Sequence, residues 1–270
     1  AGFLGRIAAR FAGVPMIAHT PHGHNFYGYF GRVASWLVVW LERFAACFTD
    51  KFIVLTKLEK KDIIAYGVSR EDKIAVVPSG LELEEYSLQK KDTGRKDIVV
   101  AMVGRLEPVK GPGYFVEAAG LVLKEFPEAR FMLAGAGSLR DSLKKQAEGL
   151  GIKDRVVFLG WRDDVPQILS AIDVLVLPSL NEAVGRIILE AACLGVPAVA
   201  SRTGGVPEII QDGLTGILVE PGNPAELAKG IIFLLRDREK RLSMGQAAKE
   251  LVFREFSVEK MVRKIEELYG

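Results

Sequence analysis

The sequence predicts an α/β protein with parallel sheets, in which a complete doubly wound unit follows an incomplete one. Three observations carry that prediction. From Ile98 onward, short apolar runs alternate with amphipathic segments of helical length. Such a pattern implies right-handed crossovers and a sheet covered on both faces. Glycine or proline punctuates the joins, as at Gly104, Gly135, Pro178 and Gly204, where a buried strand must give way to a loop. Ahead of Ile98 the same style yields only three apolar runs, against the about five or six strands of a full doubly wound unit.

Taken in order, the first part reads as a helix at 3–12, a strand at 15–18, a helix at 32–48, a strand at 52–55, a helix at 57–66 and a strand at 74–77. The polar stretch 89–97 (QKKDTGRKD) is the best linker. Beyond it, strands are expected at 98–103, 130–134, 156–159, 174–177, 198–201 and 216–219, with helices at 114–126, 139–150, 185–194 and 225–235 between them. Closing helices follow at 238–253 and 258–269. The domains expected are therefore a partial one at 1–94, a complete one at 95–254, and a closing helix at 255–270.

Composition excludes some classes. The net charge of +2 supplies no bulk field for nucleic acid. Cys47 and Cys193 sit in apolar helical sequence and form no paired motif, which favours a reducing, cytoplasmic setting over a disulfide scaffold. Residues 2–13 mix small, apolar and basic residues and do not read as a signal peptide. The longest apolar stretch, 33–48, is broken by Glu42 and Arg43. It reads as a buried or half-buried helix rather than a membrane span.

Chemistry collects on loops that follow strands, where an open parallel sheet binds its ligands. After the strand at 98–103 come Gly104, Arg105, Lys110 and Gly111. Glycines let the backbone approach a ligand, and the two cations suit a diphosphate. After the strand at 174–177 come Glu182, Gly185 and Glu190. A helix beginning near Gly185 offers free amides to an anion. Two acids beside a phosphate are tolerable when each accepts from sugar hydroxyls. The competing reading of Glu190 as a helix-surface acid sits poorly with its apolar neighbours Ile187, Ile188, Leu189, Ala191 and Ala192. The three histidines, His19, His22 and His24, fall within six positions. Substrate contact is preferred there to loop packing or to a metal, because no cysteine or carboxylate follows at zinc spacing.

Gly-Arg-Leu-x-Pro-x-Lys-Gly from Gly104, the pair Gly135 and Gly137, the Glu182-x7-Glu190 spacing, Gly195–Pro197, and Gly204-Gly205-Val206-Pro207-Glu208 occur in that order. The set resembles the group 1 (family 4) retaining glycosyltransferases of GT-B fold, with two Rossmann-like domains of which the first is incomplete here. The resemblance runs from about residue 15 to the end of the chain. It implies that Gly104, Arg105, Lys110, Gly137, Gly185 and Glu190 bind the donor, Glu190 through the ribose. Backbone near Trp161 would meet the base, Glu182 would hold hydroxyls of the transferred sugar, and His22 would lie near that sugar across the cleft. His22 and Glu182 are thus the catalytic candidates. The resemblance further implies a UDP-sugar donor, a glycan, lipid-linked or small-molecule acceptor, no metal or other cofactor, no nucleic acid, and peripheral contact with the inner membrane surface. Two departures stand out: Ala183 where the family has glycine, and Arg186 where it has an apolar residue. With opening strands missing from the pattern, the chain is expected to bind nucleotide but transfer poorly. The alternatives are a sugar-nucleotide epimerase of the same fold and a catalytically silent nucleotide-sugar-binding subunit. A dehydrogenase is disfavoured, because Gly135-Ala-Gly137 lacks a third glycine.

Overall fold

The structure, a computed structural model, describes residues 2–21, 31–86 and 97–269. The chain divides into two compact units, 1–79 with 261–270, and 80–260.

In the first unit, α1 (Gly2–Phe11) precedes β1 (Ala18–His19), α2 (Arg32–Ala46), β2 (Lys51–Val54), α3 (Lys57–Ala65) and β3 (Ile74–Val76). The strands form one parallel sheet in the order β1-β2-β3. β1 is shorter than expected. Pro15 has no amide to offer a ladder, and the Ile17 amide is taken by the Asp50 carboxylate at 2.8 Å. α3 starts where its sequence says it should: Thr56 accepts from the Glu59 amide, and Glu59 accepts from the Leu55 amide, close to a capping box. Phe52, Val54, Ile63 and Ile74 form the small core.

α2 corrects the reading of 33–48. Ser35, Val39 and Ala45 are buried, but Val33, Trp36, Leu37, Trp40, Leu41 and Phe44 are each more than half exposed. The large apolar residues Val33, Trp36, Leu37, Trp40, Leu41 and Phe44 recur at helical spacing, but the stripe they form is the exposed one, while the mostly smaller Ser35, Val39 and Ala45 pack. No helix among the described residues is long and apolar enough to cross a membrane.

The second unit contains β4 (Val99–Val103), α4 (Pro112–Val122), β5 (Arg130–Ala134), α5 (Arg140–Gly149), β6 (Val156–Gly160), α6 (Val165–Ser170), β7 (Val174–Leu177), α7 (Arg186–Cys193), β8 (Ala198–Ser201), α8 (Val206–Ile209), β9 (Gly216–Val219), α9 (Pro224–Arg236) and α10 (Arg238–Glu255). Its six-stranded sheet is parallel throughout, in the order β6-β5-β4-β7-β8-β9. Val100, Met102, Phe131, Leu133, Val174 and Val176 share one core with buried residues of α4, α5 and α9. Phe115 and Phe131 meet edge to face at 5.7 Å. The alternate side chains turn to the other face, where Leu177 lies beside Ile188 of α7. Asn223 and Asp237 cap α9 and α10 through the amides of Glu226 and Lys240.

The division between units falls at Ser79 and Gly80 rather than in the polar stretch near 94, most of which lies outside the described residues. Leu81 explains this. Its side chain is buried, its amide bonds to the Phe256 carbonyl, and its carbonyl accepts from Val258. Segment 80–86 is thereby fixed to the end of α10 and the start of α11 (Val258–Tyr269), and from Met261 onward the chain belongs to the first unit.

Candidate functional site

The strand order of the second sheet reverses between β4 and β7. The chain leaves β4 toward one edge of the sheet and β7 toward the other, and such diverging connections leave a crevice beyond the carboxyl ends of the two parallel strands. The loops after β4 and β7 therefore meet there, and they carry Gly104 to Gly111 and Pro178 to Gly185.

The meeting is close. The Leu180 amide bonds to the Val109 carbonyl at 2.9 Å. A Cβ on Gly111 would lie 2.2 Å from the Pro178 carbonyl oxygen, so only glycine permits this approach. Lys110 Nζ then stands 2.6 Å from Glu182 Oε2, which also accepts from the buried Ser179 hydroxyl at 3.1 Å. The pair is largely sheltered from water, so its attraction is screened less than at an open surface. The loop after β8 closes the far side. The Gly205 amide donates to the Glu182 and Ala183 carbonyls, and the Thr203 hydroxyl donates to the Leu180 carbonyl.

The loop after β5 supports the first of these. Gly137 packs against the Leu106 backbone, and Leu106 exchanges bonds with Ala136 and Leu139. Glu107 takes two bonds from Ser138. Those bonds and the nearby charge of exposed Arg105 hold the Glu107 carboxyl below the usual range. Trp161 is exposed just past β6.

Glu190 lies on α7, whose N-cap Gly185 adopts a left-handed conformation at φ 75°. The Glu190 side chain is only 13% exposed and pairs with Arg186 Nε at 3.1 Å. It is not a solvated helix acid. Burial raises its pKa, opposed by bonds from Arg186 and from the Tyr86 hydroxyl. Tyr86 is buried in a 3₁₀ turn, Leu83–Tyr86. No sequence pattern singled it out, because it lies outside every loop motif and 104 positions from its partner.

The other candidates divide. Lys110, Glu182 and Gly185 come together on the loops beyond β4 and β7, while Gly104 and exposed Arg105 begin the first of those loops. Each acid has its own cation, Lys110 for Glu182 and Arg186 for Glu190. His22 and His24 lie outside the described residues. His19 packs edge to face on Phe52 at 5.9 Å. Among the described residues no three His, Cys, Asp or Glu side chains gather as a metal site.

An all-parallel sheet of this order, with cations and acids beyond its switch point, defines a doubly wound nucleotide-binding class. Residues 84–251 match the family model of group 1 glycosyl transferases, and residues 1–80 match the glycosyl transferase 4-like domain. The chain is 35% identical over 280 residues to the Escherichia coli UDP-Gal:alpha-D-GlcNAc-diphosphoundecaprenol alpha-1,3-galactosyltransferase, with 99% of the chain and 72% of that protein covered. It is 35% identical over 249 residues to the Bacillus anthracis N-acetyl-alpha-D-glucosaminyl L-malate synthase, with 82% of the chain and 65% of that protein covered. The crystal structure of Anabaena HepE in complex with UDP-glucose superposes with a TM-score of 0.88 at 27% identity, covering 98% of this chain and 75% of that one. The chain belongs to the group 1 glycosyltransferases, and its fold is of GT-B type. Sugar transfer is thereby supported over epimerisation and over silent binding.

Proposed function

We propose that this chain transfers a sugar from a UDP-sugar to a lipid-linked acceptor at the cytoplasmic membrane surface, with retention and without a metal. The observation that carries the reading is the set of charges at the switch point, Lys110, Glu182 and Glu190. Lys110 and Arg105 bind the diphosphate, Glu190 accepts from the ribose hydroxyls, and Glu182 accepts from hydroxyls of the transferred sugar. Cationic side chains take over the leaving-group charge that a metal would otherwise neutralise. His22 belongs to the sugar side of this scheme, and a same-face displacement accounts for retention. The Escherichia coli relative uses UDP-Gal and a diphosphoundecaprenol acceptor by name, and HepE is seen with UDP-glucose. The test is transfer from UDP-galactose or UDP-glucose to a polyprenyl-diphosphate glycan, followed by NMR of the new anomeric centre. Transfer with an α product, undiminished by EDTA, is expected. A β product, or loss of transfer on chelation, would overturn retention or metal independence respectively.

The exposed face of α2 supports the lipid surface. Trp36 and Trp40 lie 5.8 Å apart and Arg43 sits 6.0 Å from the Trp40 ring. Aromatic rings flanked by a cation suit a headgroup boundary. The chain should sediment with phosphatidylglycerol vesicles, and Trp36→Glu with Trp40→Glu should weaken that binding by about tenfold or more while leaving UDP affinity unchanged. Unaltered vesicle binding by the double variant would remove α2 from this role.

A further inference from the structure

The backbone and the side chain of Glu182 are held by different means. Its loop is pinned on the main chain: the Leu180 amide bonds to the Val109 carbonyl, the Thr203 hydroxyl donates to the Leu180 carbonyl, and the Gly205 amide donates to the Glu182 and Ala183 carbonyls. The side chain takes two bonds among the described residues, from Lys110 Nζ at 2.6 Å and from the Ser179 hydroxyl at 3.1 Å. Both reach the same oxygen, Oε2. The two donors differ in freedom. Lys110 is a point charge on a flexible stem, and its side chain is 21% exposed. Ser179 comes just after β7, its hydroxyl sits on a short side chain, and the residue is 0% exposed.

We propose that Ser179 is a positioning residue of the donor site: its hydroxyl keeps the Glu182 carboxylate in place when Lys110 turns from it to the donor diphosphate. This rests on the reading of Lys110 as a phosphate-binding cation and of Glu182 as the acceptor for the sugar. A lysine that serves the diphosphate leaves Glu182, 11% exposed in its side chain, without its cation. A sheltered carboxylate stripped of every donor is strongly unfavourable. One that keeps the Ser179 bond is not stripped, and its Oε1, which takes neither bond, stays available to sugar hydroxyls. Ser179 thus eases the departure of Lys110 and acts through Glu182. Buried as it is, it does not touch the donor itself.

A packing role for the hydroxyl would behave otherwise. If it only filled space beneath the loop, its loss would disturb that loop whether or not residue 182 carries a carboxylate. Acting through Glu182, it matters to the ligand only while the carboxylate is present. It matters, too, only for ligands that take Lys110 away. Uridine has no phosphate and leaves the ion pair as it stands. A double-mutant cycle read with UDP and uridine therefore separates the two roles.

Calorimetry makes the test. Ser179→Ala should bind UDP about three- to tenfold more weakly and bind uridine as the unaltered chain does. With Glu182→Ala already present, adding Ser179→Ala should leave UDP affinity where it was. Ser179→Cys keeps the shape and offers a weak donor; it should show the same loss to a lesser degree, and it carries the test if the alanine variant fails to fold. Equal losses for UDP and uridine, an equal loss of UDP affinity with and without the Glu182 carboxylate, or no loss in either Ser179 variant overturns the positioning role. Lys110→Ala checks the reading beneath it. If that variant binds UDP as tightly as the unaltered chain, Lys110 does not serve the phosphates and this proposal fails with that reading. If Lys110→Ala weakens UDP while both Ser179 variants bind it unchanged, the role of Ser179 alone is refuted.

Discussion

Alanine at position 204 should lower the melting temperature of the second unit by about 5–15 °C and depress sugar transfer by about a hundredfold at temperatures where the chain is still folded. Gly204 follows β8 with φ +54°, and a Cβ there would stand 1.5 Å from the Glu182 carbonyl oxygen. The left-handed backbone alone costs about 1–2 kcal/mol for alanine. Relieving the overlap costs about 1–3 kcal/mol more, because a main-chain atom must move rather than a flexible side chain. What moves is the loop that holds Glu182, and its carboxylate leaves Lys110 as it goes. Gly213→Ala separates the two effects, since Gly213 has φ +76° and nothing within 4 Å of the added Cβ. It should show the backbone penalty and keep its transfer rate. Equal melting shifts and equal activities in the two variants would refute the collision.

This contact also shows why the sequence was legible to one depth and no further. Each strand of the second sheet is a short apolar run between turn residues, so local pattern alone located it, and 130–134, 174–177, 198–201 and 216–219 coincide with β5, β7, β8 and β9. The glycines of the loops were equally visible, but not their reasons. Gly111 is needed by Pro178 and Gly204 by Glu182, and both requirements exist only once β4, β7 and β8 are neighbours. The same holds for charge. Lys110 and Glu182 are 72 positions apart and were assigned separate ligands, yet the order of the sheet brings them within 2.6 Å. The repulsion expected between two acids and a phosphate is met here by a cation for each acid, Arg186 serving Glu190. Tyr86 was out of reach altogether, because the turn that carries it is set by Leu81 meeting the end of α10. In α2 the local pattern was clear but pointed the wrong way, since the bulky apolar stripe of Val33, Trp36, Leu37, Trp40, Leu41 and Phe44 is exposed and the mostly smaller Ser35, Val39 and Ala45 pack.

The second large effect concerns that ion pair and takes opposite signs for its two members. Lys110→Ala should weaken UDP by about tenfold or more and leave uridine nearly unchanged, because on the proposed reading the lost cation serves phosphate rather than the base or ribose. It should also destabilise the fold by about 1–3 kcal/mol, since the Glu182 side chain, 11% exposed, would lose its cation and retain the bond from the Ser179 hydroxyl. Glu182→Ala should do the reverse to binding. Lys110 must give up Glu182 to meet a diphosphate, and without Glu182 nothing is given up, so UDP should bind as well as before or more tightly. Transfer should nonetheless fall by about 10²-fold or more, because on the proposed reading the hydroxyls of the sugar lose their acceptor. The double variant should be less destabilised than the sum of the singles, as removing both halves of a sheltered pair leaves no orphaned charge. Titration of the three variants with UDP and uridine, beside thermal melts, decides the matter. If Glu182→Ala weakens UDP as much as Lys110→Ala does, the two side chains serve the nucleotide together and Glu182 has no separate part with the sugar.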